Sequence, residues 1–367
     1  LPRSRGLGDV YKRQNIESSF NEKDSHLGNI KCNMLIMRKL SLLIIILAIS
    51  SCSKIDENTL TIYSSRQPQL IEPLLESFEL ETGIKIELLT GDAPQLLQRL
   101  KSEGGMTQAD IFMTVDAGTL WQAASEDIFH PIESKILEEN IPSYLRDSEK
   151  RWFGFSKRIR TIVYSKEKVD PENLSTIEDL ASEKWDNKLC LRTSRKVYNR
   201  SLLASMIDNL GYEQSKSIVK GWVNNFATPV FSNDTNALKA VAEGPCHVTI
   251  VNTYYLARLL DTGKYDQLEI FWSNQSNRGA HVNITGAGVV KSSKNKLNAI
   301  KFLEYLSTKE AQDIYASLNY EFPVNTRSEL NDLIKKWGTF KEDEIPVERL
   351  GKLQREAVKL AQEAEYF

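Results

Sequence analysis

Three tyrosines stand where the chain passes from an apolar run into a helical stripe. Two are adjacent, in Val248-Thr-Ile-Val-Asn-Thr-Tyr-Tyr-Leu-Ala-Arg-Leu-Leu260, and the third is Tyr198, in Lys196-Val-Tyr-Asn-Arg-Ser201. Residues 247–251 read as a buried strand, Asn252 as an N-cap, and Leu256, Leu259 and Leu260 as the inward stripe of the helix that follows. Tyr254 and Tyr255 then fall in the first helical turn, where unpaired backbone N–H groups and the helix dipole favour negative charge. Consecutive helical residues point about 100° apart, so the two hydroxyls meet on one atom only if it lies near the helix N-terminus. Such an arrangement suits a small ligand in a crevice; an aromatic pair packed in a core is the other reading. Tyr198 is expected just before a helix opening at Ser201, so two helix starts can face one crevice.

Other side chains add to this set. In residues 152–166, Arg158 and Arg160 alternate with apolar residues, a strand pattern that turns one side toward a cleft. A guanidinium is always charged and presents forked donors, so either arginine can hold an anion, or each can sit in an ion pair. Beyond Cys52 only Cys190 and Cys246 remain, both beside expected buried strands. In an oxidising compartment a disulfide is the natural reading, with two buried thiols or one catalytic thiol as alternatives. The four histidines are scattered and no Cys/His spacing suggests zinc.

The elements that must position these groups alternate. Strands are expected at 59–63, 85–89, 109–115, 189–191, 269–272 and 284–290, with helices at 70–78, 93–102, 201–210 and 296–306 and a mostly helical stretch after 310. Strands alternating with helices imply an α/β fold with a parallel, doubly wound sheet, and such sheets bind ligands outside the carboxyl ends of their strands.

Residues 1–33 show no convincing apolar period, and Leu1–Gln14 reads as translated adapter sequence, so this stretch is expected to be a non-native or untranslated-region-like extension. Residues 34–51 read as a signal peptide, with Arg38-Lys39 before an apolar run at 40–49. Ile49-Ser-Ser-Cys52 resembles a lipoprotein signal in which Cys52 is acylated; an ordinary secretory signal is the alternative. From Cys52 onward the chain carries 39 basic and 45 acidic side chains and has no basic run, which argues against nucleic acid as a partner.

The order and spacing of Tyr63-Ser-Ser-Arg66, Ala109-Asp-Ile-Phe-Met-Thr-Val-Asp-Ala-Gly118, Arg158-Ile-Arg160, Val197-Tyr-Asn-Arg-Ser201, Val251-Asn-Thr-Tyr-Tyr255, His281-Val-Asn-Ile-Thr-Gly-Ala-Gly288 and Tyr320-Glu-Phe-Pro-Val324 resemble the periplasmic ferric-ion-binding proteins of iron(III) ABC importers. The resemblance implies a type 2 periplasmic-binding fold, with two doubly wound α/β lobes joined by a hinge, here 59–155 with 275–306 and 156–274 with 307–367. It matches Tyr198, Tyr254 and Tyr255 to metal-binding tyrosines and Arg158 to an arginine beside the metal or its anion, with Arg258 and Gln67 as further neighbours. It implies a non-enzymatic, monomeric, lipid-anchored protein of the periplasm or cell envelope. That protein would carry Fe(III), with a synergistic anion such as carbonate, to an ABC permease. Phenolate is a hard anionic donor suited to such a cation, and three phenolates neutralise three charges. One departure stands out. Many relatives carry His-Tyr after Ser-Ser-Arg, whereas this chain has Gln67-Pro68, so the first-lobe ligand is lost or replaced. The competing readings are another cargo on the same fold, an anion or an iron chelate, and a cysteine-dependent enzyme on that fold.

Overall fold

The computed structural model describes residues 58–367; the extension, the signal segment and Cys52 lie outside them. Eight strands form one sheet: β1 (Thr59–Ser64), β2 (Lys85–Thr90), β3 (Ile111–Thr114), β4 (Phe153–Ser165), β5 (Leu189–Cys190), β6 (Val248–Asn252), β7 (Leu268–Phe271) and β8 (His281–Val289). Their order is β2-β1-β3-β8-β4-β6-β5, with β7 also paired to β4. The parallel arrangement expected from alternation holds for β2-β1-β3 and for β5-β6. It breaks at β8 and β4, which are antiparallel to each other and to their other neighbours. The reason is that these two strands carry the chain across between the two ends of the sheet. β4 is 13 residues long; its first part pairs with β8 and its second with β6 and β7.

Helices cover the sheet as their apolar stripes require. On the β1 side lie α1 (Glu72–Thr82), α2 (Ala93–Glu103), α3 (Ala117–Ser125) and α4 (Lys135–Asn140). In α1, Leu74, Leu75 and Phe78 are buried, and Gly83 ends the helix at φ 71, a left-handed conformation that costs glycine little. On the β6 side lie α5 (Val197–Leu210), α6 (Tyr212–Asn224), α7 (Asp234–Glu243) and α8 (Thr253–Leu260). The last helices are α9 (Lys296–Leu306), α10 (Lys309–Asn319), α11 (Asp332–Lys335), α12 (Val347–Lys352) and α13 (Gln354–Glu363). Among the described residues no helix is long and apolar enough to cross a membrane.

Three local details differ from the sequence reading. Helix α5 begins at Val197, so Tyr198 is inside its first turn rather than before it. Asn252 occupies the N-cap position of α8 without capping it, because its side chain is engaged by Arg160 instead. Helix α10, expected with residues 156–274, packs against α1 and α9, while α12 packs on both α3 and α5 and α13 on α5 and α6.

Candidate functional site

The carboxyl ends of four strands open on one cavity. After β1 come Ser65, Arg66 and Gln67, after β3 Val115, after β5 the turn leading to Tyr198, and after β6 Tyr254, Tyr255 and Arg258; with Arg158 of β4, Leu70 and Glu321 these line a space of about 290 Å³. β5 and the wholly buried β6 are parallel neighbours, and the helices that follow them carry Tyr198 and the Tyr254–Tyr255 pair to the same space. The rings of Tyr254 and Tyr255 lie 4.3 Å apart, tilted by 33°. Burial is the main cause that raises the proton affinity of both hydroxyls, and the nearby Tyr198 adds to it; Arg158 opposes the rise at Tyr254, and Arg192 opposes it at Tyr255. Empty, Tyr254 and Tyr255 are therefore neutral phenols at pH 7.

Arginines complete the cavity. Arg158 is buried; its Nη2 donates to the carbonyl of Ile284 at 2.5 Å and, in a short bond, to that of Val115, and its guanidinium lies 5.4 Å from the Tyr198 ring centre. Arg258 is 4.9 Å from the Tyr254 ring centre. Buried Arg66 donates to Thr285 at 2.8 Å and forms an ion pair with Glu321 at 3.1 Å. Burial disfavours the Glu321 carboxylate, but Arg66, Arg158 and a short hydrogen bond from Ser156 overcome that, and its pKa falls below the usual carboxylate value. Among the described residues, Arg66 Nη2, Arg158 Nε and Arg258 Nη2 are buried without a hydrogen-bond partner, an arrangement costly unless a ligand accepts from them. Gln67 is exposed at the rim, accepting from Gln69 at 3.0 Å.

Sequence reading missed the charged group behind the phenols. Arg160, which it offered as an anion holder, is instead locked in a buried ion pair with Asp234 at 3.0 Å. Asp234 also pairs with Arg192 at 3.4 Å and accepts from the backbone N–H of Asn252. Arg192 in turn stands 5.2 Å from the Tyr198 ring centre. Asp234 follows a capping Asn233 at the start of α7, so in the sequence it looks like an ordinary first-turn acid. Arg66 and Glu321 lay inside quoted motifs, but nothing local joined two residues so far apart in the chain.

Cys190 and Cys246 form a disulfide with their Cα atoms 5.8 Å apart, which closes the free-thiol and catalytic-thiol alternatives. His281 is buried and bonded to Ser201, and burial beside Arg160 and Arg278 pushes its pKa down to about 3. No group of three or more His, Cys, Asp or Glu suited to a metal occurs among the described residues. Three tyrosines, Tyr198, Tyr254 and Tyr255, line the cavity together with the Glu321 carboxylate.

Comparison with known proteins agrees with this architecture. Residues 74–342 match the bacterial extracellular solute-binding protein family, and the chain belongs to it. Iron uptake protein A1 of Synechocystis is 42% identical over 315 residues, covering 84% of this chain and 88% of that protein. A Trichodesmium structure described as IdiA or FutA in complex with iron and citrate ligands superposes with a TM-score of 0.81 at 45% identity, covering 84% of this chain and all of that one. Apo FutA2 from Synechocystis gives a TM-score of 0.80 at 36% identity, covering 84% and 99%. The resemblance to ferric-ion-binding proteins and the two-lobed type 2 fold therefore hold, and these relatives are iron-binding transport proteins rather than enzymes.

Proposed function

We propose that this protein binds iron(III) through Tyr198, Tyr254 and Tyr255 in the cleft and hands it to the permease of an ABC importer. The observation that carries this reading is the delivery of three phenols to one cavity from the starts of two helices, in a chain whose relatives bind iron. Fe(III) is small, hard and highly charged; it displaces phenolic protons and is held by the resulting phenolates in preference to softer divalent ions. Three phenolates balance the three charges of Fe(III). Arg66, Arg158 and Arg258 line the same cavity, and their positive charge suits it to an accompanying anion such as carbonate. A second reading, an iron chelate as the cargo, is favoured by the same arginines and by the loss of protein ligands at Gln67-Pro68.

Around the site, one lobe comprises mainly 59–155 with 275–306 and α10, the other mainly 156–274 with α13, with α12 packed on both, and the lobes close over the ion. The mature protein is a monomer tethered to the membrane face of the cell envelope by acylated Cys52. Mass spectrometry of protein extracted from membranes tests that tether, an unmodified Cys52 counting against it.

Adding Fe(III) to the purified mature protein should produce a visible phenolate-to-iron band. Because empty Tyr254 and Tyr255 are protonated, loading releases protons, and affinity should rise with pH by about tenfold per pH unit for each proton released. No band together with undiminished iron binding would defeat the phenolate ligation. Band formation only when citrate is supplied would favour the chelate. Uptake by cells lacking the permease, undiminished relative to cells that have it, would defeat delivery to the importer.

A further inference from the structure

We infer that Arg192 is a positioning residue for the phenol site, one that holds the Tyr198 side chain and sets how strongly its phenolate donates to iron, and with it the preference of the site for Fe(III) over Fe(II). The inference rests on the tyrosine-ligation reading above and concerns a residue that stands behind the cavity lining rather than in it.

Its guanidinium is buried and lies 5.2 Å from the Tyr198 ring centre, close enough for a cation–π contact. It is fixed from behind. Nη2 donates to the Ser232 carbonyl at 3.1 Å, and Nη1 is 3.4 Å from Asp234. Asp234 is fully buried and is itself held by Arg160 at 3.0 Å and by the backbone N–H of Asn252, the residue that precedes the helix carrying Tyr254 and Tyr255. One carboxylate thus ties the start of α8 to the cation over the phenol of α5. The same Arg192 charge acts on Tyr255 as well, so it addresses ligands from both helices.

The chemistry follows from where this charge sits. A cation over a phenolate ring stabilises the donor electrons, weakens donation to the metal and so stabilises Fe(III) less than an unmodified phenolate would. Removing the charge makes Tyr198 the stronger donor: the phenolate-to-iron band moves to longer wavelength and Fe(III) gains relative to Fe(II). A unit charge several ångströms from the site, at the effective dielectric of a buried group, is large enough to change the ratio of Fe(III) to Fe(II) affinity by roughly tenfold. That corresponds to a fall of about 59 mV in the one-electron midpoint potential.

The test compares wild type, Arg192→Met, Arg192→Lys and Asp234→Asn, each loaded with Fe(III) and read by visible spectrum and spectroelectrochemical titration. Arg192→Met leaves Asp234 paired with Arg160, so it should fold, as far-UV circular dichroism will show. It should shift the band to longer wavelength and lower the potential, while Arg192→Lys restores most of both. Asp234→Asn removes the carboxylate that offsets Arg192, so it should shift the band to shorter wavelength and raise the potential; it is the deciding variant if Arg192→Met does not fold. A wild-type band with neither its position nor the potential altered in the folded variants overturns the role of Arg192 and leaves the phenol site standing. No band in iron-loaded wild type overturns the tyrosine-ligation reading and this inference with it.

Discussion

The cavity wall built from residues 192–258 and the one built from residues 65–115 with Glu321 carry different chemistry. The first supplies three phenols, backed by a disulfide-braced segment and a buried Arg192–Asp234–Arg160 group. The second supplies a guanidinium paired with a carboxylate, a rim glutamine and a proline that offers no donor. An ion held by the phenols is therefore gripped from one side, with protein contributing charge balance rather than ligands on the other. The contrast explains how a chain lacking His-Tyr at 67–68 can retain the fold and cleft of its relatives, since the phenol wall is assembled by elements that do not depend on that turn.

The contrast breaks if the two walls respond alike to substitution. The largest effect is expected on the phenol wall: Tyr254→Phe and Tyr255→Phe should each weaken Fe(III) binding on the order of 100-fold or more, because even partners outside the metal's ligand set cost 10–100-fold when lost. Competition against a chelator of known strength measures this, and wild-type affinity in Tyr254→Phe would mean that the cargo is held elsewhere. Next comes the brace. The disulfide closes a loop of sequence separation 56 that contains Arg192, Tyr198 and Asp234, so replacing both cysteines by serine should lower stability by about 4 kcal/mol in denaturant unfolding. An unchanged midpoint would show that the phenol wall needs no staple.

On the other wall the expected effects are smaller and depend on conditions. Arg66→Met should reduce iron affinity about tenfold in bicarbonate or citrate buffer, the scale of one charge-assisted hydrogen bond, and much less when such anions are absent. Equal losses in both buffers would show that Arg66 acts through the fold instead. Gln67→Ala should change affinity by no more than about threefold, since water can take the place of a rim amide. A larger loss would place Gln67 among the ligands and erase the difference between the walls.

Much of this was readable from residues alone, and the exceptions share a cause. Helix α9 was expected at 296–306 and runs Lys296–Leu306, because its apolar stripe is regular. That three tyrosines meet in one cavity, and that Cys190 pairs with Cys246, was legible because strand-to-helix junctions and isolated cysteines are local signals. Strand direction at β4 and β8 was missed, since periodicity reports which faces are buried and says nothing of which neighbour lies alongside. For Arg160 the sequence left an anion or an ion pair open, and the pair could not be named because its partner Asp234 is distant in sequence and looks like a helix-start acid. The Arg66–Glu321 pair escaped for the same reason.

Strand β4 passes without interruption from the ladder it shares with β8 to the one it shares with β6 and β7. Rotation of one cavity wall against the other cannot swivel at a single pair of dihedral angles there. It must be spread as a change of twist over many peptide units, since the strands are held by hydrogen bonds along their length and sheets accommodate strain through twist. Any opening and closing of the walls would therefore load the crossing strands as a torsion bar, winding and unwinding one element along its length. Amide hydrogens along residues 153–165 should consequently exchange slowly in both empty and iron-loaded protein, and rapid exchange confined to one short stretch would point to a pivot instead.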